Sequence, residues 1–162
     1  MDSEGAVHIR LAQADDDEFI LGLVGRFVDF ELPPWRRKPE CVDGIRRDLA
    51  RHLAEQPPGS HLFIAEDDDG TRVGFLHLQT VIDFFSGAPN CHVSDIAVAR
   101  GHDGQGIGSS LIEYAERWAR QHQCRHLTLS VFPGNERARA FYEHAGFGVE
   151  LLRMVKPVKP AR

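Results

Sequence analysis

Cysteine is scarce in this 162-residue chain, and its number is odd. Cys41, Cys91 and Cys124 are scattered, so no disulfide framework is expected and a reducing cytoplasm is the simplest setting. Long apolar runs are also missing. No stretch approaches the roughly 18 residues that a membrane-spanning helix needs, so no membrane partner is expected. Met1–Arg10 lacks a basic segment followed by an apolar one, and no signal peptide is expected. A basic excess is lacking too. Against 24 Asp and Glu stand 19 Lys and Arg, a formal net charge of −5. That balance argues against a nucleic-acid partner without excluding a local basic patch. Cys124 lies between His122 and His126, residue types that bind metals. They span a helix end and a strand start, where side chains diverge, so no metal site is expected.

What is present is ordinary for a globular domain: 42% apolar, 27% charged and 9% aromatic residues. The length fits one domain over residues 1–162. No internal repeat, low-complexity tract or linker divides it.

Period-two alternation of Val7, Ile9 and Leu11 predicts a strand over Ala6–Gln13. Asp15, Asp16 and Asp17 then open a helix carrying Phe19, Ile20, Leu23, Val24 and Phe27. Pro33-Pro34 breaks it. A second helix is expected from about Pro39 to Ala54, with Ile45, Leu49 and Leu53 at steps of four. Strands follow at Leu62–Glu66, Val73 to about Phe85 and Cys91–Val98, an antiparallel meander. A helix from Gly106 to His122, a strand at Leu127–Val131 and a helix at Glu136–His144 come next. Gly146 ends that helix, and Val149–Val155 is the expected last strand before a loose tail at Lys156–Arg162. The order β-α-α-β-β-β-α-β-α-β implies an α/β (α+β) fold with a mixed, mostly antiparallel central sheet flanked by helices. Val93–Val98, the helix and Leu127–Val131 form its one parallel βαβ unit.

Arg100–Gly108 holds four glycines and only one apolar residue, Ile107. Glycines between a strand and a helix start let backbone N–H groups approach a ligand, and the open helix end adds donors and partial positive charge. A pyrophosphate suits such a loop. Gly101 and Gly106 have Walker A spacing, but Ile107-Gly108 follows where Lys-Ser or Lys-Thr is needed. A dinucleotide GxGxxG also fits poorly, because Leu111 replaces the final glycine. A glycine-rich turn without ligand remains open on the loop alone.

The loop is followed by Asn135-x-x-Ala138-x-x-Phe141-Tyr142-x-x-x-Gly146-Phe147. With both motifs the sequence resembles the GCN5-related N-acetyltransferase (GNAT) family, over about His92 to Val155. The family's loop, [Q/R]xxGxG[G/A], places its last two glycines on Gly106 and Gly108. Its Gln/Arg position falls on Asp103, a departure that puts a carboxylate where a phosphate approaches. Asp103 is expected to turn toward solvent, leaving backbone N–H groups to carry the contact.

The resemblance implies an enzyme, an acyltransferase moving an acetyl group from acetyl-CoA directly to a primary amine of a small molecule or an exposed amino group. CoA is the product. The cofactor half is about 91–155 and the acceptor-side elements about 6–85. The resemblance implies cofactor binding by Ile96, Ala97 and Val98, which offer a strand edge to pantetheine. The loop residues Asp103, Gly104, Gln105, Gly106, Ile107, Gly108 and Ser109, with Asn135 and Tyr142, complete it. Tyr142 matches the family's general acid for the leaving thiolate, and a Val98 N–H would steady the oxyanion. A lysine-like amine, with a pKa near about 10.4, must first lose a proton. Asp95 is the expected general base, with His92 and Glu31 as other candidates. Glu31 and Trp35 in the loop before the second helix, and Asp83 near the strand turn, would hold the acceptor. Members commonly dimerise, and a homodimer is left open. A non-catalytic acetyl-CoA-binding or regulatory module on the same fold is the alternative reading.

Overall fold

The computed structural model describes residues 7–161. Ala6, where the first strand pattern begins, the rest of Met1–Ala6, and Arg162 lie outside the described residues.

Among the described residues, four α-helices and five strands follow one another in the expected order through the last helix. The strands are β1 (His8–Leu11), β2 (Ser60–Glu66), β3 (Arg72–Ile82), β4 (Pro89–Val98) and β5 (Leu127–Thr128). The helices are α1 (Asp17–Gly22), α2 (Lys38–Glu55), α3 (Ile107–Gln121) and α4 (Glu136–His144). The sheet order is β1-β2-β3-β4-β5. All neighbours are antiparallel except β4 and β5, which pair in parallel.

The first helix pattern does not run unbroken. It resolves into 3-10 turns at Ala14–Asp16 and Val24–Val28 around a short α1. Gly22 and Gly25 fall inside it, and each glycine weakens a helix by about 1 kcal/mol relative to alanine. By contrast α2 has Pro39 in its first turn and ends on Gln56 in the left-handed region, ahead of Pro57-Pro58.

Each sheet face carries its own core. Leu76, Leu78, Cys91 and Val93 pack with Leu111, Ala115 and Trp118 of α3. On the other face Phe75, Ile64 and Ala97 pack with Ile20 and Val24 and with Leu49 of α2.

The expected last strand is not formed. Residues 145–161 have no strand, and Leu151, Leu152 and Met154 are 70%, 81% and 89% exposed. A strand needs a neighbour for its backbone groups. Here β5 stops after Leu127–Thr128, shorter than the expected Leu127–Val131, and offers no edge on which a sixth strand could form. The long third strand also ends earlier than expected, at Ile82, because Asp83 begins the turn: its N–H donates to Ala88 O at 2.8 Å.

Candidate active site

The parallel pairing of β4 with β5 covers only Cys91–Leu127 and His92–Thr128. Beyond His92, β4 runs on to Val98 paired with β3 alone among the described residues, leaving its other edge unpaired as the loop is approached. Strand N–H groups alternate in direction. Ala99 N donates to Val73 O at 2.8 Å, on the β3 side. The N–H groups of Val98 and Ile96 therefore point the other way, into the open edge. Ile96, Ala97 and Val98 lie together on the stretch where an extended ligand could add as a strand.

The loop that follows leads into α3. Gly104 and Gly106 both have φ of +76°, a region that side-chain-bearing residues rarely adopt. Gly106 occupies the N-cap of α3 without any side-chain acceptor, and no acidic residue falls in the first turn. The first amides of α3, around Ile107, Gly108 and Ser109, are left to an outside anion. Gln105 Oε1 is 3.3 Å from His102 Nδ1.

Asp103 does not simply face solvent. Arg26, from the 3-10 turn Val24–Val28, donates through Nη2 to Oδ1 at 3.0 Å and to Oδ2 at 3.1 Å. The departure from the [Q/R] pattern is thus offset by a cation from the other half of the chain. Among the described residues Arg26 Nη1 is buried without a hydrogen-bond partner, a state that costs about 1–3 kcal/mol until an acceptor arrives. These features fit a diphosphate: uncapped amides, left-handed glycines and a guanidinium with an unused donor.

Asp95 lies on β4 opposite His77 of β3, next to a register shift between His77 and Leu78. Its Oδ2 accepts from His77 Nδ1 at 2.8 Å, with the Asp95 side chain 11% exposed and His77 fully buried. His92 is held by Thr128 Oγ1 at 2.8 Å, and burial lowers its pKa despite the nearby Asp95 carboxylate. A neutral imidazole results at neutral pH.

Tyr142 projects from α4. Asn135 caps that helix, its Oδ1 accepting from Ala138 N at 3.3 Å. Phe141 rests on Gly108, where an added Cβ would stand 3.4 Å from the ring. The Tyr142 ring meets Phe141 and Phe147 at centroid distances of 5.4 and 5.7 Å. Burial raises its phenol pKa, keeping it a proton donor.

The loop before α2 meets the turn that precedes α4. A Cβ on Gly134 would fall on the carbonyl oxygen of Glu31, so only glycine allows the two segments to touch. The rings of Phe30 and Phe132 pack at 5.8 Å. A cavity of about 290 Å³ lined by Arg36, Glu40, Ile45 and Phe132 adjoins this contact. Trp35 is 45% exposed beside it in sequence. Asp83 stands just past the end of β3, six residues from His77, and its carboxylate accepts from Ser86 N and Oγ. Those bonds lower its pKa and make it a turn residue. A larger cavity of about 410 Å³, between α3 and Ala145–Gly148, contains neither Asp95 nor the glycine loop.

Two residues escaped the sequence reading. His77 stands in Phe75-Leu76-His77-Leu78, on the buried face with Phe75, where period two demands a partner for a polar ring. Arg26 carried no comparable signal.

Known proteins resemble this chain in sequence and in fold. A mycothiol acetyltransferase of Propionibacterium freudenreichii subsp. shermanii is 35% identical over 128 residues, covering 76% of this chain and 40% of its own length. The chain thus spans well under half of that curated relative. A putative acetyl transferase from Pyrococcus furiosus superposes with a TM-score of 0.73 at 23% identity, over 94% of this chain and all of that one. The aminoglycoside N-acetyltransferase AAC(6')-Iy, solved in complex with CoA, does so at 0.68 and 21% identity, covering 99% of both chains. At such identities these structures speak for the fold. The model of the acetyltransferase (GNAT) family matches residues 26–147, and the chain belongs to that family.

Proposed function

We propose that the protein is an acetyl-CoA-dependent N-acetyltransferase that moves the acetyl group directly to a primary amine. The observation that carries this reading is the meeting, on one strand, of Asp95 with the unpaired edge at Ile96–Val98, immediately before an uncapped helix start. Relatives named as acetyltransferases of mycothiol and of streptothricin support a small-molecule amine as acceptor. The three free cysteines support a reducing, cytoplasmic setting.

Acetyl-CoA supplies an activated thioester. The amides of Gly104 to Ser109 and Arg26, which also neutralises Asp103, would hold its diphosphate, and the β4 edge with Asn135 would hold pantetheine. Asp95 accepts the proton of the ammonium group through its free oxygen. The Val98 N–H, pointing into the open edge, donates to the carbonyl oxygen as negative charge develops there. As the amine nitrogen bonds to the carbonyl carbon and the C–S bond breaks, Tyr142 would give its phenolic proton to the sulfur and take back the second proton leaving the amine nitrogen. Glu31 and Trp35, beside the Gly134 contact, hold the cationic acceptor by charge and π-face.

The test has two arms. CoA at 100 times its dissociation constant adds about 2.7 kcal/mol to stability, visible as a raised Tm. Thiol release is then followed over polyamines, amino sugars, amino acids and a lysine-containing peptide. Turnover with one class names the acceptor. A raised Tm with no thiol release from any amine replaces the enzyme by a cofactor-binding module.

A further inference from the structure

Behind Asp95 a chain of hydrogen bonds crosses three strands and ends on a helix surface. Asp95 Oδ2 is 2.8 Å from His77 Nδ1, and His77 Nε2 is 2.8 Å from Ser60 Oγ. Ser60 Oγ is 2.8 Å from His52 Nδ1, and His52 Nε2 is 3.1 Å from Arg51 Nη2. The residues belong to β4, β3, β2 and the last turns of α2. His77 and His52 are buried, whereas Arg51 is exposed. The two imidazoles meet edge to face at 4.6 Å.

The direction of donation follows from the Arg51 end. A guanidinium donates and never accepts. His52 Nε2 must therefore be the bare nitrogen, and its proton lies on Nδ1, donated to Ser60 Oγ. Ser60 has one hydrogen, which goes to His77 Nε2. His77 then carries its proton on Nδ1 and donates it to Asp95. Asp48 does not reverse this order. Its Oδ1 is 3.6 Å from His52 Nε2, beyond hydrogen-bond range, and already accepts from Arg51 at 3.3 Å. Burial, with His77 nearby, lowers the pKa of His52, in keeping with a neutral ring.

We propose that Arg51, His52, Ser60 and His77 form a relay that sets the tautomers of both histidines and thereby holds Asp95 as a hydrogen-bond acceptor with one oxygen free. The inference rests on the reading of Asp95 as the base. His77 is then a positioning residue, and Arg51 acts on the site from the surface through three intervening side chains.

Long-range proton–nitrogen NMR reads the tautomers at neutral pH without any acceptor, with His52→Asn and His77→Asn spectra for assignment. Both rings are expected to be protonated on Nδ1 and bare on Nε2. A proton on Nε2 of either ring, or an imidazolium, overturns the relay. Arg51→Glu replaces the terminal donor by an acceptor. The chain then reverses, and His77 presents a bare nitrogen to a carboxylate. Both tautomers should switch. With acetyl-CoA and the fastest amine of the panel, kcat should fall about tenfold, the effect of losing one charge-assisted hydrogen bond, with KM for acetyl-CoA unchanged. Arg51→Lys keeps a donor and should behave as the unaltered protein. Arg46→Glu, an exposed charge reversal on the same helix, should change nothing. Switched tautomers with kcat unaltered overturn the positioning role. Asp95→Asn separates the two readings: the expected tautomers together with full Asp95→Asn turnover remove the base while leaving the relay in place.

Discussion

Arg26 Nη2 bridges both carboxylate oxygens of Asp103, at 3.0 and 3.1 Å, across 77 residues of sequence. The pair cancels a negative charge at the mouth of the glycine loop. Arg26→Ala leaves that carboxylate facing an incoming diphosphate. The expected outcome is a CoA dissociation constant about tenfold higher by calorimetry, equivalent to about 1.4 kcal/mol. Asp103 is 39% exposed, so the loss should shrink as salt is raised. In the double variant with Asp103→Asn most of the affinity should return. An Arg26→Ala protein that binds CoA normally would remove Arg26 from the cofactor site.

Tyr142 combines burial with a place one residue after the aromatic ring that touches Gly108. Tyr142→Phe removes the phenolic proton and little volume. A fall in kcat of about 10²-fold is expected, with CoA binding intact. The pH dependence has a definite sign. The acid form is the active one, and burial raises its pKa above the ordinary tyrosine value of about 10. The alkaline loss of kcat attributable to Tyr142 should begin only above that value. A profile in Tyr142→Phe with undiminished kcat would end its assignment as the acid, where chemistry limits the rate.

How much could be read from residues alone depended on how local each cause was. The bounds of α4 follow from Asn135 at one end and Gly146, with φ of +101°, at the other, and both act within one turn. The meander and the glycine loop were equally legible. Val149–Val155 has a convincing strand pattern, but a strand is completed by its neighbour, and the short β5 supplies none. The orientation of Asp103 was out of reach for a similar reason, because its partner comes from a distant 3-10 turn. The place of Asp95 on β4 was legible from its strand pattern, whereas its pairing with His77 depended on the register shift between the strands.

Asp16 illustrates what stabilises the far edge of the sheet. Its buried carboxylate accepts from Arg10 at 2.7 and 2.9 Å, from Arg72 at 2.7 Å and from Gln13 N at 2.7 Å. The Arg10 bond chiefly holds its pKa well below the usual carboxylate range. Asp16→Ala should lower unfolding free energy by about 3 kcal/mol in urea titrations, because two guanidinium groups lose their common acceptor. A depressed folded pKa stabilises above the unfolded value of about 3.9. That contribution is complete at neutral pH and is lost progressively as pH falls below about 4. The variant should therefore show a weaker acid dependence than the parent. Equal slopes in acid would remove Asp16 as the source.

Gly134 offers a test of the junction between the two halves. A Cβ there meets the carbonyl oxygen and carbon of Glu31, backbone atoms that cannot rotate away. Gly134→Ala must push apart the Glu31 loop and the turn that Asn135 uses to cap α4. Forcing a methyl into such a contact costs about 1–3 kcal/mol, so Tm should fall. The functional effect has a direction as well. The glycine loop and Arg26 lie outside this junction, so the diphosphate contacts should hold and the loss of CoA affinity through Asn135 should be smaller than the change in acceptor KM. Acceptor KM should rise, because Glu31 and Trp35 move relative to Tyr142. A fall in CoA affinity with acceptor KM unchanged would place the acceptor away from the Glu31 loop.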